Sequence, residues 1–501
     1  MVRLAMNAAD PQFFIFTLAL VGIVIIIAAL LSGLIDKSDV PQVGVFLALG
    51  AILGPAGLGL LDVTLDSPIL FVVATLSLTL VLFTDAVSLP IAEVRRNARL
   101  AFIVLGPGTV MSAALIALAG WYLLDLSPAA AAVLGAALAS TDPVMLRGLV
   151  RRSGLSDTVR LALRLESGLN DIVLLPIILL ALPFLNNGRQ LGILDWARLG
   201  LDFLLLGPGA GIAVGLLALA ALDMIRRKIG VRRDYESLYS LGVAFAAYAA
   251  AEAVHGSGFI AAFTAGLTIA ALDLDLCDCF LEYGETTAEM ALLFAFVLFG
   301  SSLIWTGFTV LSWPVLLLAI SVALIRVIAF FAALSTMRLK SKECLLIAWF
   351  GPRGLSSLLL ILVPVFAGAP GSAYLFHIAC FVVLFSVVLH GGSLMFLGRS
   401  KRPRLFRSDA AVSGAGDVDI DHPAEGTPAA ETADGRVTID ELKRLRHNAE
   451  PVVILDVRSE HSLADDRRGA EGAIRIPAEH VIRRVAELGI PKNTWLILFC
   501  A

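Results

Sequence analysis

Long apolar runs separated by short polar loops fill the first 400 residues of the chain. A helix that spans a bilayer needs about 20 mainly apolar residues, and thirteen runs have about that length. An odd number of crossings places the two ends on opposite sides of the membrane. The pattern predicts an all-α polytopic membrane protein with helices at approximately 12–35, 42–60, 69–89, 100–122, 128–148, 159–184, 199–224, 235–253, 258–274, 287–306, 312–334, 343–367 and 372–397.

Basic residues concentrate in every second loop, which the positive-inside rule assigns to the cytoplasm. The N-terminus is then outside and the C-terminal tail inside, as in a protein of the bacterial inner membrane. One cytoplasmic loop, 273–289, is acidic and would attract cations to the mouth of a transport path. The basic loops contain Arg95, Arg96 and Arg99; Arg147, Arg151, Arg152 and Arg160; Arg226, Arg227, Lys228, Arg232 and Arg233; Arg338, Lys340 and Lys342; and the cluster within 399–407.

Composition supports lipid as the solvent of this chain. Hydrophobic residues make up 58% and charged residues 16%, with a mean hydropathy of +0.87, values outside the usual range of soluble domains. The five cysteines follow no disulfide pattern, and we interpret them as structural thiols. No resident metal, cofactor or nucleic-acid partner is expected.

The composition changes after residue 400. A transmembrane domain, 1–400, precedes a flexible linker, 401–435, that is first basic and then rich in Ala, Gly, Pro and acids. The remaining region, 436–501, has an alternating α/β pattern. It predicts strands at 452–457, about 473–474 and 495–499, and a helix at about 478–488.

Ionisable residues inside a membrane are costly and are functional candidates by default. The sixth helix contains Glu166, Ser167, Asn170 and Asp171, and Asp171 lies about 18 Å along the helix, near the middle of the bilayer. Spacing of four places Ser167 and Asp171 on one face. A proton and a cation could compete for this carboxylate. The alternative is a set of structural hydrogen bonds between helices.

Two helices are predicted to break inside the membrane. Pro143 follows Thr141 and Asp142 in the fifth helix, and Pro352 precedes Arg353 in the twelfth. Proline removes a helical hydrogen bond and frees a carbonyl, so we expect the freed carbonyl of Ala139 near the cation. Interrupted helices in two oppositely oriented halves indicate an inverted-repeat transporter. Ordinary proline kinks are the alternative.

Other buried charges need partners. Arg326 lies in the middle of the eleventh helix and requires a carboxylate, for which Glu166 is the best candidate. Asp85 is nearer the cytoplasmic end of the third helix and is a secondary candidate. His377 and His390 could sense pH, although helix packing is the commoner role.

The motifs Thr141-Asp142-Pro143, Glu166-Ser167-x-x-Asn170-Asp171 and Gly351-Pro352-Arg353-Gly354 together resemble the monovalent cation:proton antiporter-1 family, the sodium/proton exchangers. This resemblance implies a homodimer in which a six-helix core moves like an elevator past a dimerisation domain. It also implies that Asp171 carries the cation and the proton, with Thr141, Asp142, Ser167 and Asn170 beside it. Glu166 would be the structural partner of an arginine, and Arg353 is a further candidate.

The expected function is exchange of Na⁺, or of Li⁺ or K⁺, for protons across the bilayer. Relatives that move net charge have two adjacent acids where this chain has Asn170 and Asp171, so the resemblance implies electroneutral exchange. A gated cation channel is one alternative. A membrane-tethered sulfurtransferase or thiol-sensing protein is another.

The C-terminal region resembles a rhodanese domain. The resemblance rests on Leu455-Asp456-Val457-Arg458, on the segment 472–477 and on Phe499-Cys500, in that order. It implies that Cys500 occupies the position of the nucleophile. The loop that would cradle its sulfur falls after Ala501, so we expect this region to be catalytically inactive.

Overall fold

The computed structural model describes most of the transmembrane region and parts of the C-terminal region. The described residues are 22, 23, 26, 27, 30, 42–89, 91–150, 155–185, 192, 200–229, 233–272, 278–337, 339–400, 442, 444, 445, 451–457, 472–476 and 494–499. The chain divides into two compact units, Met1–Phe406 and Arg407–Ala501. Each unit is described by itself.

The described part of the first unit is helical. Two π-helical turns, Val104–Gly108 and Leu201–Leu206, and a 3₁₀ helix, Leu303–Val310, supplement the α-helices. The α-helices are α1 Gln42–Leu53, α2 Pro68–Val87, α3 Ile91–Arg96, α4 Ala98–Ile103, α5 Thr109–Leu124, α6 Pro128–Ala139, α7 Pro143–Val150, α8 Asp157–Leu185, α9 Gly207–Lys228, α10 Arg233–Ala253, α11 Gly258–Ala271, α12 Asp278–Ser301, α13 Trp313–Leu334, α14 Ser341–Trp349, α15 Leu355–Phe366 and α16 Ser372–Ser400.

Within the described residues, seven helices are long and apolar enough to cross a membrane, or eight if one bent pair counts as a span. Four further apolar helices are shorter. The prediction of a helical polytopic membrane protein is therefore confirmed. The count of thirteen crossings stays a prediction, and its first segment, 12–35, lies largely outside the described residues.

Both predicted interruptions are present. Helix α6 ends at Ala139 and α7 begins at Pro143, while α14 ends at Trp349 and α15 begins at Leu355. Proline at the first position of α7 needs no helical partner for its nitrogen, so a new helix can start there. Each predicted segment is thus two half-helices joined by extended backbone.

Two further helix irregularities occur at a Leu-Gly-Pro-Gly sequence that appears twice in the chain. The hydropathy pattern does not distinguish this sequence from an ordinary helix. Leu105-Gly106-Pro107-Gly108 lies within the π-helical turn Val104–Gly108, whereas Leu206-Gly207-Pro208-Gly209 begins at the last residue of the π-helical turn Leu201–Leu206. The missing proline N–H favours a wider turn at these places. The chain continues as a helix, α5 or α9, on the far side of each turn.

The prediction of a loop over 273–289 is wrong in part, because α12 begins at Asp278. The described acidic residues Glu285 and Glu289 are therefore helical. A hydropathy window does not detect a helix whose first turns are polar. Residues 273–277 lie outside the described residues.

Helices α1 and α12 approach each other closely through glycines. A Cβ atom at Gly50 would lie 2.8 Å from the Cα of Gly300, and one at Gly300 would lie 2.8 Å from the Cα of Leu47. Real Cβ atoms do not tolerate backbone at such distances, so neither position accepts a side chain without a shift of one helix.

We expect Gly300→Ala to lower the stability of the folded protein by about 1–3 kcal/mol, the usual effect of overpacking. The measurement is the melting temperature in detergent. Gly242→Ala on α10 is the matched control, because no atom would lie within 4 Å of its Cβ. Equal melting temperatures for the two variants would contradict the close crossing of α1 and α12.

The described part of the second unit is a three-stranded parallel sheet. Its strands are β1 Val452–Asp456, β2 Ile474–Arg475 and β3 Trp495–Phe499, in the order β2-β1-β3. The strands occur where the sequence predicts them. The rhodanese-like identity of this region stays a prediction, and the linker 401–435, the predicted helix 478–488 and Cys500 lie outside the described residues.

Candidate functional site

The two interrupted helices meet at their breaks. The backbone N–H of Asp142 donates a hydrogen bond to the carbonyl of Pro352, with 3.0 Å between nitrogen and oxygen. Four half-helix ends, those of α6, α7, α14 and α15, therefore come together in the interior of the first unit. Each end has backbone groups without helical partners, so other groups of the protein must satisfy them.

Asp142 caps the N-termini of two half-helices. Its Oδ1 accepts a hydrogen bond of 2.8 Å from the backbone N–H of Val144 in α7, and its Oδ2 accepts one of 3.0 Å from that of Leu355 in α15. Helix N-termini favour negative charge. A Cβ at Gly354 would overlap the Asp142 carboxylate, so glycine is required for this approach.

Arg353 serves the end of α6. Its Nη1 donates to the carbonyls of Ala139 and Ser140, at 2.8 and 3.2 Å, and the hydroxyl of Ser357 also donates to Ser140. The carbonyl of Ala139, which the sequence places near the cation, accepts a hydrogen bond from this guanidinium. A cationic side chain at a helix C-terminus supplies the charge that a cation would otherwise bring.

Arg326 serves the end of α14 and is paired with Glu166. Its Nη1 lies 2.5 Å from Glu166 Oε1, and its Nη2 donates to Oε2 at 3.0 Å. The same Nη2 lies 3.1 Å from the carbonyl of Ile347 and 3.3 Å from that of Phe350. The guanidinium also lies 4.3 Å from the ring centre of Phe330, within cation–π range.

Asp171 has a different environment from Asp142. It is 5% exposed, and its Oδ1 accepts a hydrogen bond of 2.6 Å from the hydroxyl of Ser140. Asn170, next to it in α8, donates from Nδ2 to Thr141 Oγ1 at 2.8 Å. The buried Asn170 Oδ1 has no hydrogen-bond partner among the described residues. The carboxylate thus accepts a hydrogen bond from the Ser140 hydroxyl, while the side chains of the two adjacent residues, Asn170 and Thr141, bond to each other.

A cavity of about 460 Å³ adjoins this region. Ser167, one helical turn before Asp171, lines it together with Gly168 and Asp85. Glu285 and Glu289 of α12 and Arg164 of α8 also line it. With three acids and one base, the cavity has a negative balance, which concentrates cations in a recess with low-dielectric walls.

The structure thus brings Thr141, Asp142, Ser167, Asn170 and Asp171 to one place and sets the Glu166–Arg326 pair beside it. Sequence reasoning did not foresee the role of Arg353 at the end of α6 or that of Ser140. The freed carbonyl created by Pro143 was the signal that a donor such as an arginine was needed there.

The two histidine candidates lie on α16. The Nδ1 of His390 lies 3.1 Å from the hydroxyl of Ser386, and its ring packs 5.7 Å from that of Trp349. The ring of His377 packs 6.1 Å from that of Phe376. Both contacts fit the packing alternative.

A helical membrane bundle in which interrupted helices meet at buried charges is typical of secondary transporters. The chain matches the model of the family described as sodium/hydrogen exchanger, transmembrane, over residues 22–399. It belongs to the sodium/hydrogen exchanger family.

Individual relatives are more distant. The K⁺/H⁺ antiporter NhaP of Alkalimonas amylolytica is 25% identical over 390 residues, which cover 76% of this chain and 66% of that protein. The Na⁺/H⁺ antiporter NhaH of Halobacillus dabanensis is 29% identical over 315 residues, covering 57% of this chain and 72% of that protein. The chain spans about two thirds of the length of the first of these relatives.

Among solved structures, the sodium proton antiporter MjNhaP1 from Methanocaldococcus jannaschii at pH 8 has a TM-score of 0.62 and 21% sequence identity. The match covers 76% of this chain and 99% of that one. At this identity the likeness shows a shared fold.

The Glu166–Arg326 pair generates a stability prediction. Glu166→Gln or Arg326→Gln leaves one charge buried alone, and we expect each to cost about 3–5 kcal/mol. The double variant should recover part of the loss in a double-mutant cycle followed by thermal melting. The exposed pair Asp223–Arg227, 2.9 Å apart, is the matched control, with an expected coupling of about 0–1 kcal/mol. Additive losses at Glu166 and Arg326 would refute the coupling.

The contacts of Asp142 with two helix starts lead to a second stability prediction. Asp142→Asn replaces one acceptor oxygen with a donor, so one helix N-terminus loses its partner, at a cost of about 1–3 kcal/mol. Asp171→Asn removes no backbone partner and is the matched comparison. We expect only the first to lower the melting temperature substantially, and equal melting temperatures would argue against the capping role.

Proposed function

We propose that this protein is a secondary antiporter that exchanges a monovalent cation for protons by alternating access at Asp171. The proposal is supported by family membership and by relatives named as K⁺/H⁺ and Na⁺/H⁺ antiporters. The observation that carries it is the contrast between two buried carboxylates. Asp142 is held by two helix N-termini, whereas Asp171 is held by a hydroxyl and lies one turn beyond an acidic cavity.

The buried charges of the described membrane unit support a simple stoichiometry. They comprise three carboxylates and two guanidinium groups: Asp142, Glu166, Asp171, Arg326 and Arg353. Arg326 neutralises Glu166, and Arg353 balances Asp142 in formal charge. One negative charge remains, and an uncompensated charge at this depth is costly. Either one proton or one monovalent cation removes that cost.

Competition for Asp171 then gives exchange. A cation that enters through the acidic cavity displaces the proton, and the loaded carboxylate is next exposed to the opposite side, where the proton returns. The proposed ligands are Asp171, Ser167, Thr141 and Asn170, with Asp142 as the fixed neighbour. Asp85 lines the approach. Either Na⁺ or K⁺ satisfies this charge argument, and Li⁺ does as well.

The wider architecture is part of the proposal. We infer thirteen crossings in inverted repeats, the N-terminus outside, the tail in the cytoplasm of a bacterium, and an elevator-like homodimer in the inner membrane. The region 436–501 is proposed as a regulatory module without sulfurtransferase activity.

Asp171→Asn should abolish cation-dependent proton flux in proteoliposomes and leave the protein folded. The amide keeps the shape of the side chain but holds no exchangeable proton and no negative charge. The assay records the internal pH after addition of Na⁺ or K⁺.

Glu252→Gln serves as the control. Glu252, near the end of α10, accepts a hydrogen bond from the backbone N–H of Gly258 at the start of α11. It is remote in sequence from the interrupted helices, so loss of its charge should leave the flux intact. Robust cation-dependent flux through well-folded Asp171→Asn would remove Asp171 from the mechanism.

One proton per monovalent cation makes the cycle electroneutral. A membrane potential imposed on proteoliposomes without ion gradients should therefore drive no proton movement through the protein. If a second acid such as Asp142 also cycled, two protons would exchange for one cation and the potential would drive flux. Sodium-dependent, potential-driven acidification that requires Asp171 would rule out the single-carboxylate cycle.

A further inference from the structure

Gly168 of α8 is a glycine in the interior of a long helix. Glycine is less favourable there than alanine, so its presence calls for a packing or functional reason. Its neighbours on the helix are Ser167 and Leu169, and Asp171 follows one turn later. The position therefore belongs to the same part of the helix as the proposed carrier.

Close helix packing explains other glycines of this unit and does not explain Gly168. A Cβ at Gly135, Gly266 or Gly300 would lie less than 3 Å from a neighbouring helix. At Gly168, the nearest described atom outside its own helix would be Asp85 Cγ, at 3.9 Å. That distance is an ordinary van der Waals contact, so backbone packing does not require the missing side chain.

The space left by Gly168 is part of the acidic cavity. Gly168, Ser167 and Asp85 all line it, and Asp85 lies on α2, which packs against α8. A Cβ at position 168 would lie 3.9 Å from Asp85 Cγ, so a longer side chain there would fill part of this cavity beside the Asp85 carboxylate. On the proposed function, a cation that enters through this cavity passes position 168 on its way to Asp171, which follows one helical turn later.

We propose that Gly168 determines cation selectivity by keeping this passage wide enough for a cation of the size of K⁺ with part of its water shell. This inference rests on the proposed function and specifies its substrate class. A wide, partly hydrated passage lets a large monovalent cation reach the carboxylate, whereas a narrow one admits smaller cations more readily. An ion site can discriminate between cations through its size and through the number and field strength of its ligands.

The test compares half-saturating concentrations of K⁺ and Na⁺ for proton exchange in proteoliposomes. In Gly168→Leu, we expect the ratio of the K⁺ value to the Na⁺ value to rise about tenfold, the lower end of the usual effect of added methylenes in a pocket. Gly168→Ala should shift the ratio in the same direction but less. Gly242→Leu, at an open position of α10, should leave the ratio unchanged.

An unchanged ratio in Gly168→Leu, or equal loss of both activities in a folded protein, would overturn the proposal. Melting temperatures establish folding, and if the leucine variant does not fold, the alanine variant decides by the direction of its shift. The increase in melting temperature on addition of KCl or NaCl gives a readout independent of transport. Absence of exchange in the unsubstituted protein would instead refute the proposed function, while the melting shifts would still test the selectivity.

Discussion

Backbone groups freed inside a membrane must find partners, and this requirement organises the first unit. Interrupting two helices exposes carbonyls at two ends and N–H groups at two starts, and lipid can satisfy neither. One carboxylate, Asp142, accepts hydrogen bonds from the N–H groups of both helix starts. Arg353 and Arg326 each donate to the carbonyls of one helix end. Every charge has the sign opposite to that of the helix end it meets. The crossing is therefore held by electrostatics as well as by packing.

The sequence predicts much of this arrangement because its elements have local signals. Pro143 and Pro352 predict the breaks, and long apolar runs predict the helices. A single arginine in an apolar helix, Arg326, indicates that an acidic partner is nearby. Which half-helix end each charge meets depends on contacts distant in the chain. Leu355 donates to Asp142 across 213 residues, and no local pattern encodes that pairing. The sequence also misled where hydropathy was the guide, since the start of α12 is polar and helical.

A polar helix start and a missing side chain shape the acidic cavity that ends one helical turn from Asp171. Because α12 begins at Asp278, Glu285 and Glu289 are fixed on a helix and line the cavity. Carboxylates on a rigid element hold a steady potential in the cavity, whereas a loop would let them move apart. In the same cavity, Gly168 contributes empty space. Sequence reasoning can identify such a glycine but cannot tell whether backbone, as at Gly300, or a cavity faces it.

On the proposed function, the division of labour between two acids also limits which ions can be carried. Protonation of Asp142 would weaken its hydrogen bond to one of the two helix starts, so on this proposal the buried charge changes at Asp171. That site lacks one positive charge, and a proton or a monovalent cation supplies one. A divalent cation would leave an excess positive charge beside Arg326 and Arg353, where desolvation makes an unpaired charge costly. Discrimination by valence therefore follows from the fixed charges that hold the crossing together, and discrimination by size is left to the width of the passage that leads to Asp171.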